Sequence, residues 1–82
     1  MKPYKVRPFE IGAAEVIDRA TDERVGYVLA AYRGWHAFLE SDPGHALRVG
    51  TWHCERLDRT FDVIECRTRA VAAEKVWEVV TA

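Results

Sequence analysis

The feature that most constrains the fold is one helix-forming segment at the end of a chain that is otherwise patterned as strands. In "TRAVAAEKVWEVV" the apolar residues recur at helical spacing and Thr68 is a good N-cap, so a helix is expected over about 69–80. The preceding segments alternate apolar and polar residues between turn signals, which is typical of β-strands. The sequence therefore predicts an α+β fold: an antiparallel β-meander of about four to five strands with one C-terminal α-helix packed on one face.

Short turn signals separate the strand-like segments. Arg33-Gly34 is expected to form a two-residue hairpin loop in which the glycine supplies a positive φ, and "SDPGH" is a clear strand breaker. The span 53–65 could be either strand or helix on this pattern. Strands are expected at about 14–18, 24–32, 35–40, 48–56 and 61–66.

The chain length of 82 residues corresponds to one domain. Residues 1–12 contain two prolines among basic residues and are expected to form an extended N-terminal arm, which leaves 13–82 as the α+β domain. The formal charge is -1, from 12 basic and 13 acidic side chains. This balance counts against a dedicated nucleic-acid-binding protein, which normally carries a basic excess.

The expected location is the cytoplasm. The first residues lead into no apolar signal-peptide core, and no apolar run reaches the length of a membrane span. Two cysteines are too few for a disulfide scaffold, so free thiols are expected. The chain has no Asn or Gln and is rich in Ala, Val and Arg, a bias typical of GC-rich genomes such as those of actinobacteria and their phages.

The dipeptide Trp-His occurs twice, in "GWHAF" and in "GTWHCE". A hairpin that pairs Glu40 with Arg48 joins opposite charges across the "SDPGH" breaker. It also places His36 opposite Trp52, so that each face of the sheet receives one Trp–His contact. A following hairpin, with a turn around 58–60, is expected to pair Arg56 with Asp62.

These registers make both faces of the sheet apolar, although the chain has only one helix to cover them. The helix is expected to cover the face with Val28 and Ala37. An antiparallel sheet ordinarily leaves one polar face in water, and three exposed aromatic rings exceed what soluble monomers usually present. The N-terminal arm, a second protein or a nucleic acid could cover this second face. Its candidate partner-binding residues are Tyr27, His36, Phe38, Arg48, Trp52 and Arg56.

These residues predict a small non-enzymatic protein-binding module that uses the second face for homodimerisation or for binding a partner protein. The alternative is sheet-based DNA binding, in which bases stack on the aromatic rings beside the two arginines. Neither a membrane nor a small-molecule substrate is indicated.

No catalytic, metal or cofactor site is expected. His36, Cys54 and Cys66 are expected on the second face and would supply three metal ligands without a fourth. Ser41 lies in a turn without the context of a nucleophile, and the chain has no Gly-rich phosphate loop. His53 opposite Glu65 suggests a cross-strand ion pair rather than a general base.

The segments "RVGTW", "RTF" and "TRAVAAEKVW" resemble the closing strand and helix of small domains built from a three-stranded sheet and one helix. These are the AP2-type DNA-binding domain and the arm-site-binding domain of phage and transposon integrases. The resemblance covers residues 24–82 and implies a three-stranded sheet that enters the major groove. The residues that it implies as DNA contacts are Arg33, His36, Arg48, Trp52 and Arg56.

Overall fold

The computed structural model describes residues 1–82 and contains seven strands and one helix. Strands β1, β2, β3, β4 and β7 form one antiparallel sheet in that order, whereas β5 and β6 form a separate two-stranded sheet. The expected α+β architecture with a C-terminal helix on the sheet is confirmed. The elements are β1 Tyr4–Glu10, β2 Ala13–Asp18, β3 Arg24–Ala30, β4 Trp35–Leu39, β5 Gly50–Cys54, β6 Arg59–Val63, β7 Glu65–Cys66 and α1 Arg69–Val80.

Helix α1 begins at the expected cap, where the Thr68 hydroxyl accepts a hydrogen bond of 3.1 Å from the Val71 amide. Its buried stripe packs mainly on β3 and β4 and excludes water from the face of the sheet that carries Val28 and Ala37. Burial of these apolar side chains is the main source of stability for the domain. The buried cluster consists of Tyr4, Ala14, Val16, Val28, Ala37, Cys66, Ala72, Ala73 and Val76.

Residues 1–12 do not form an arm outside the domain; they supply the edge strand β1, which pairs with β2. Tyr4 is buried, and its ring lies 5.4 Å from that of Trp77 on the helix. Pro8 is compatible with this strand because an edge strand leaves one row of backbone groups without ladder partners. The N-terminal segment therefore extends the sheet and does not cover its second face.

The loop between β3 and β4 differs from the expected two-residue turn. Ala30 pairs with Trp35, and the loop is closed by a hydrogen bond of 2.8 Å from the Ala31 amide to the Gly34 carbonyl. Gly34 is not among the residues with positive φ; a side chain there would instead collide with the carbonyl oxygen of Cys66. A two-residue loop would pair Tyr32 with Trp35, so the observed register differs by two residues. A shift of two residues leaves the side chains of β3 and β4 on their expected faces.

Two separate segments of the chain, rather than one continuous strand, lie beside β4 at this edge of the sheet. The Leu47 amide donates a hydrogen bond of 2.7 Å to the carbonyl of Ala37, and Glu65 pairs with the neighbouring β4 residue, His36. The intervening residues 48–64 leave the sheet as a β-hairpin, the hairpin arm, which comprises β5, the turn at 55–58 and β6. A hydrogen bond of 2.6 Å from the Val49 amide to the Val63 carbonyl closes its base.

This interruption overturns the expected pairing of Trp52 with His36. Strand β5 pairs only with β6, and β4 pairs with β7 instead. The expected pairing of Arg56 with Asp62 is also wrong, since Asp62 faces Thr51. The segment 53–65 is strand, turn and strand rather than helix.

Candidate functional site

The hairpin arm projects from the body of the molecule. Strands β5 and β6 contact each other, but neither approaches another strand or the helix. The molecule measures 47 × 29 × 25 Å and its radius of gyration is 13.6 Å. A compact domain of this length has a radius of gyration of about 11.7 Å. The projecting arm therefore extends the molecule well beyond compact dimensions.

The hairpin arm is amphipathic because cross-strand partners share a face of the ribbon. One side, the apolar arm face, carries two aromatic rings, a thiol and a valine. The opposite side, the polar arm face, carries two threonines, a histidine and a carboxylate. The apolar arm face consists of Trp52, Cys54, Phe61 and Val63, with Arg59 at its outer end, and the polar arm face consists of Thr51, His53, Thr60 and Asp62.

The centre of the apolar arm face is the pair of Trp52 and Phe61. Their ring centroids lie 5.9 Å apart with an interplanar angle of 28°, and Trp52 is 58% exposed. The Arg59 guanidinium lies 5.2 Å from the centroid of the Phe61 ring, within the range of a cation–π contact. Phe61 is half-buried, and no other strand or helix packs on the pair, so the arm presents the Trp52 ring and part of the Phe61 ring to solvent.

Polar contacts satisfy the opposite face of the arm. The His53 ring nitrogen Nδ1 lies 3.1 Å from the Thr60 hydroxyl, and Arg48 pairs with Asp62 at 3.0 Å. At the tip, Asp58 adopts a φ of 48° and donates its amide to the Glu55 carbonyl at 3.2 Å. These contacts fix the turn and direct the polar face toward water.

The second face of the main sheet, opposite the helix, is less open than expected. The rings of Tyr27 and Phe38 stack at 4.9 Å with an interplanar angle of 8°, and both residues are half-buried rather than exposed. The Tyr27 hydroxyl donates a hydrogen bond of 2.8 Å to the carbonyl of Pro43 in the loop after β4. Residues 40–46 thus partly shelter this aromatic pair.

Charges on the second face neutralise one another. Arg7 and Arg24 both contact Glu15, at 3.1 and 3.6 Å, and Arg24 also pairs with Glu40 at 2.7 Å. The hydrogen bond to Glu40 raises the pKa of Arg24 above its ordinary value. Because these arginines are held by carboxylates, the second face offers little free positive charge to a phosphate backbone.

His36 also lies on the second face, where its ring meets the edge of Phe38 at a centroid distance of 6.2 Å. Its Nε2 atom is buried without a hydrogen bond and lies 3.6 Å from a carboxylate oxygen of Glu65. The cross-strand partner of His36 is therefore Glu65. The sequence had predicted that His36 lies opposite Trp52 and that Glu65 lies opposite His53.

The structure divides the six predicted site residues into two separate groups. Tyr27, His36 and Phe38 share the second face of the main sheet. Arg48, Trp52 and Arg56 belong to the hairpin arm, with Arg56 in its turn.

The cysteines are also separated. Cys66 lies under the helix, where burial raises the pKa of its thiol, and Cys54 lies on the arm. Both thiols are free. No group of three or more His, Cys, Asp or Glu side chains is arranged to hold a metal ion.

Phe61 is a member of the apolar arm face that was not predicted as a site residue. The expected pairing of Arg56 with Asp62, which joins opposite charges, would place Phe61 on the face beneath the helix. A register that pairs Trp52 with Phe61 separates apolar from polar side chains along the ribbon, with Arg59 as the one exception. That separation is the signal that identifies the correct pairing from sequence.

Comparisons with known proteins give no relative for this chain: no protein-family model, no curated protein and no solved structure matches it. The structure contains no helix with the length and apolar character needed to cross a membrane.

Proposed function

We propose that this chain is a small non-enzymatic protein-binding module that docks through the apolar arm face. The observation that carries the proposal is the pair of Trp52 and Phe61, on which no other strand or helix packs, on a ribbon that projects from the body. Aromatic side chains of this kind supply most of the binding energy at protein interfaces. The two free cysteines fit a reducing compartment such as the cytoplasm.

The charge of the hairpin arm favours a protein partner over a nucleic acid. Residues 48–64 contain three arginines and three carboxylates, so the arm has no net charge when its histidine is neutral. A nucleic-acid ligand draws its affinity mainly from uncompensated positive charge, whereas the core of a protein interface is depleted of charge and enriched in aromatic residues. The apolar arm face, with two aromatic rings and one charged side chain, has the second of these two compositions.

Site-specific photo-crosslinking in the cells that naturally make the protein tests this proposal. Position 52 receives the aromatic crosslinker benzoyl-phenylalanine, which preserves a large apolar side chain on the apolar arm face. Position 51, on the polar arm face of the same strand, is the matched control. We expect protease-sensitive adducts from position 52 and few from position 51. Equal yields at both positions, no adducts, or adducts removed by nuclease would contradict the proposal.

DNA binding is the second candidate, supported by the shape of the arm. A two-stranded ribbon fits the major groove of B-DNA, and Arg56 and Arg59 form no ion pair with a carboxylate. Fluorescence polarisation with a labelled duplex tests it at two salt concentrations. Binding that weakens steeply with salt and is lost in the double variant Arg56→Glu, Arg59→Glu would favour this candidate. Unchanged polarisation at low salt would exclude it.

A further inference from the structure

We infer that the occupant of the apolar arm face is a second copy of this chain, which contributes the apolar face of its own hairpin arm. This inference rests on the proposed function and names the partner. The contact is an antiparallel, two-fold arrangement in which the two pairs of Trp52 and Phe61 meet at the centre.

The chain exposes enough area beyond a compact monomer to accommodate a dimer interface. The chain exposes 5814 Å² and has a mass of 9.4 kDa. A folded monomer of this mass exposes about 5000 Å². The excess of about 800 Å² equals one partner's share of a standard protein interface, which is about 800 Å². Much of the excess is expected from the arm, since β5 and β6 pack on no other element.

The isolation of the arm also favours a partner on its apolar face. A two-stranded hairpin without further support is marginally stable at best in water, and it needs packing on its apolar face to become independently stable. Within one chain, β5 and β6 receive no such packing. A second arm laid on the apolar arm face supplies it to both copies at once.

The position of Arg59 favours the antiparallel orientation of the two copies over the parallel one. Arg59 is the only charged residue within the paired strands of the apolar arm face, and it lies toward the tip, two residues from Phe61. A parallel arrangement would bring the two Arg59 side chains together. An antiparallel arrangement centred on Trp52 separates them by roughly 13 Å along the strands. Each Arg59 then lies opposite Gly50 of the second copy, where the absence of a side chain leaves open space.

Sedimentation equilibrium over a hundredfold range of concentration, together with light scattering, tests the inference on the purified chain. We expect a concentration-dependent approach to twice the chain mass of 9.4 kDa, with little change between low and high salt. Trp52→Ala should weaken dimerisation by at least about 30-fold, because the dimer loses an aromatic anchor from each copy. Thr51→Ala, on the polar arm face, is the matched control and should leave the mass distribution unchanged.

Crosslinking through the natural thiols provides an independent readout. Cys54 is on the apolar arm face and partly accessible, whereas Cys66 is buried under the helix. A flexible bismaleimide should therefore trap a covalent dimer of the native chain, and Cys54→Ser should abolish the product. Circular dichroism shows whether each variant retains its folded body.

The two proposals fail differently. A chain that stays monomeric at every concentration overturns the second copy as partner. The proposed function survives that result if the position-52 adducts have the mass of another protein, and it fails if no face-specific adduct forms. A dimer whose strength is unaffected by Trp52→Ala overturns the inference that the arm is its interface.

Discussion

At the scale of single residues, Gly26 shows how closely the helix approaches the sheet. A side chain at this position would meet the carbonyl oxygen of Phe38 and a methyl group of Val76 on α1. The glycine is required here by close packing rather than by an unusual backbone angle, since its φ is not positive. The same reasoning applies to Gly34, which lies against the backbone of Cys66.

Gly26→Ala is expected to destabilise the domain by about 3 kcal/mol, because an added methyl group must displace either backbone or the helix. Gly44→Ala is the control, since nothing lies within 4 Å of a side chain added at Gly44. That variant should change the free energy of unfolding by at most about 1 kcal/mol. Urea unfolding of both variants measures the difference. Equal effects would show that the helix does not pack on β3 as described.

The two thiols are expected to react at very different rates. Cys66 is 2% exposed, and burial raises the pKa of its thiol, so little reactive thiolate forms at neutral pH. Cys54 lies on the projecting arm. In dilute native protein, a disulfide reagent should modify one thiol quickly and the second only on unfolding. The Cys54→Ser variant keeps only Cys66, and the Cys66→Ala variant keeps only Cys54. Equally rapid modification of the two variants would contradict the burial of Cys66.

At the scale of elements, the sequence predicted local features better than pairings. Helix α1 was predictable because its N-cap and its apolar spacing lie within one short segment around Thr68. The pairing after Leu39 was not, because the sequence does not mark that residues 48–64 leave the sheet. A register error of an odd number of residues also reverses the faces of a strand, which is how Phe61 was misplaced. Trp52 was recognised as an aromatic anchor, but its position on a separate hairpin was not.

The hairpin arm is expected to be dispensable for folding of the body. Replacing residues 49–63 by a Gly-Gly link should keep the sheet and helix, since Leu47 and Glu65 bond to neighbouring residues of β4. We expect the free energy of unfolding to change by no more than about 2 kcal/mol, within the range of ordinary surface changes and loop closure. Thermal unfolding followed by circular dichroism measures this. A shortened chain that does not fold would show that the arm is part of the core.

The loop after β4 is expected to respond to pH through His45. Its Nδ1 atom lies 2.8 Å from Asp42, and this hydrogen bond raises the pKa of His45 above 6.5. Because the pKa is raised in the folded chain, the pair of His45 and Asp42 stabilises the fold fully below about pH 6.5. This contribution is lost as the pH rises through the pKa of His45 in the folded chain. Titration by nuclear magnetic resonance should place the midpoint of His45 lower in Asp42→Asn than in the native chain. Identical midpoints would show that the pair does not form in solution.

At the scale of the whole molecule, the body and the arm have different physical characters. The body buries its apolar residues between the sheet and α1, and the ion pairs of Arg7, Glu15 and Arg24 neutralise much of its second face. The arm exposes its apolar face and has no support from the body. In the proposed dimer, a second copy covers this face.

Amide hydrogen exchange at two protein concentrations tests this claim most directly, because it locates the protected residues. At low concentration, amides in β5 and β6 should exchange much faster than those in β2 and β3, whose pairing lies inside the main sheet. At high concentration, exchange in residues 50–54 and 59–63 should slow by at least about tenfold, while the amides of β2 and β3 change little. Arm amides that exchange equally fast at both concentrations would contradict the claim.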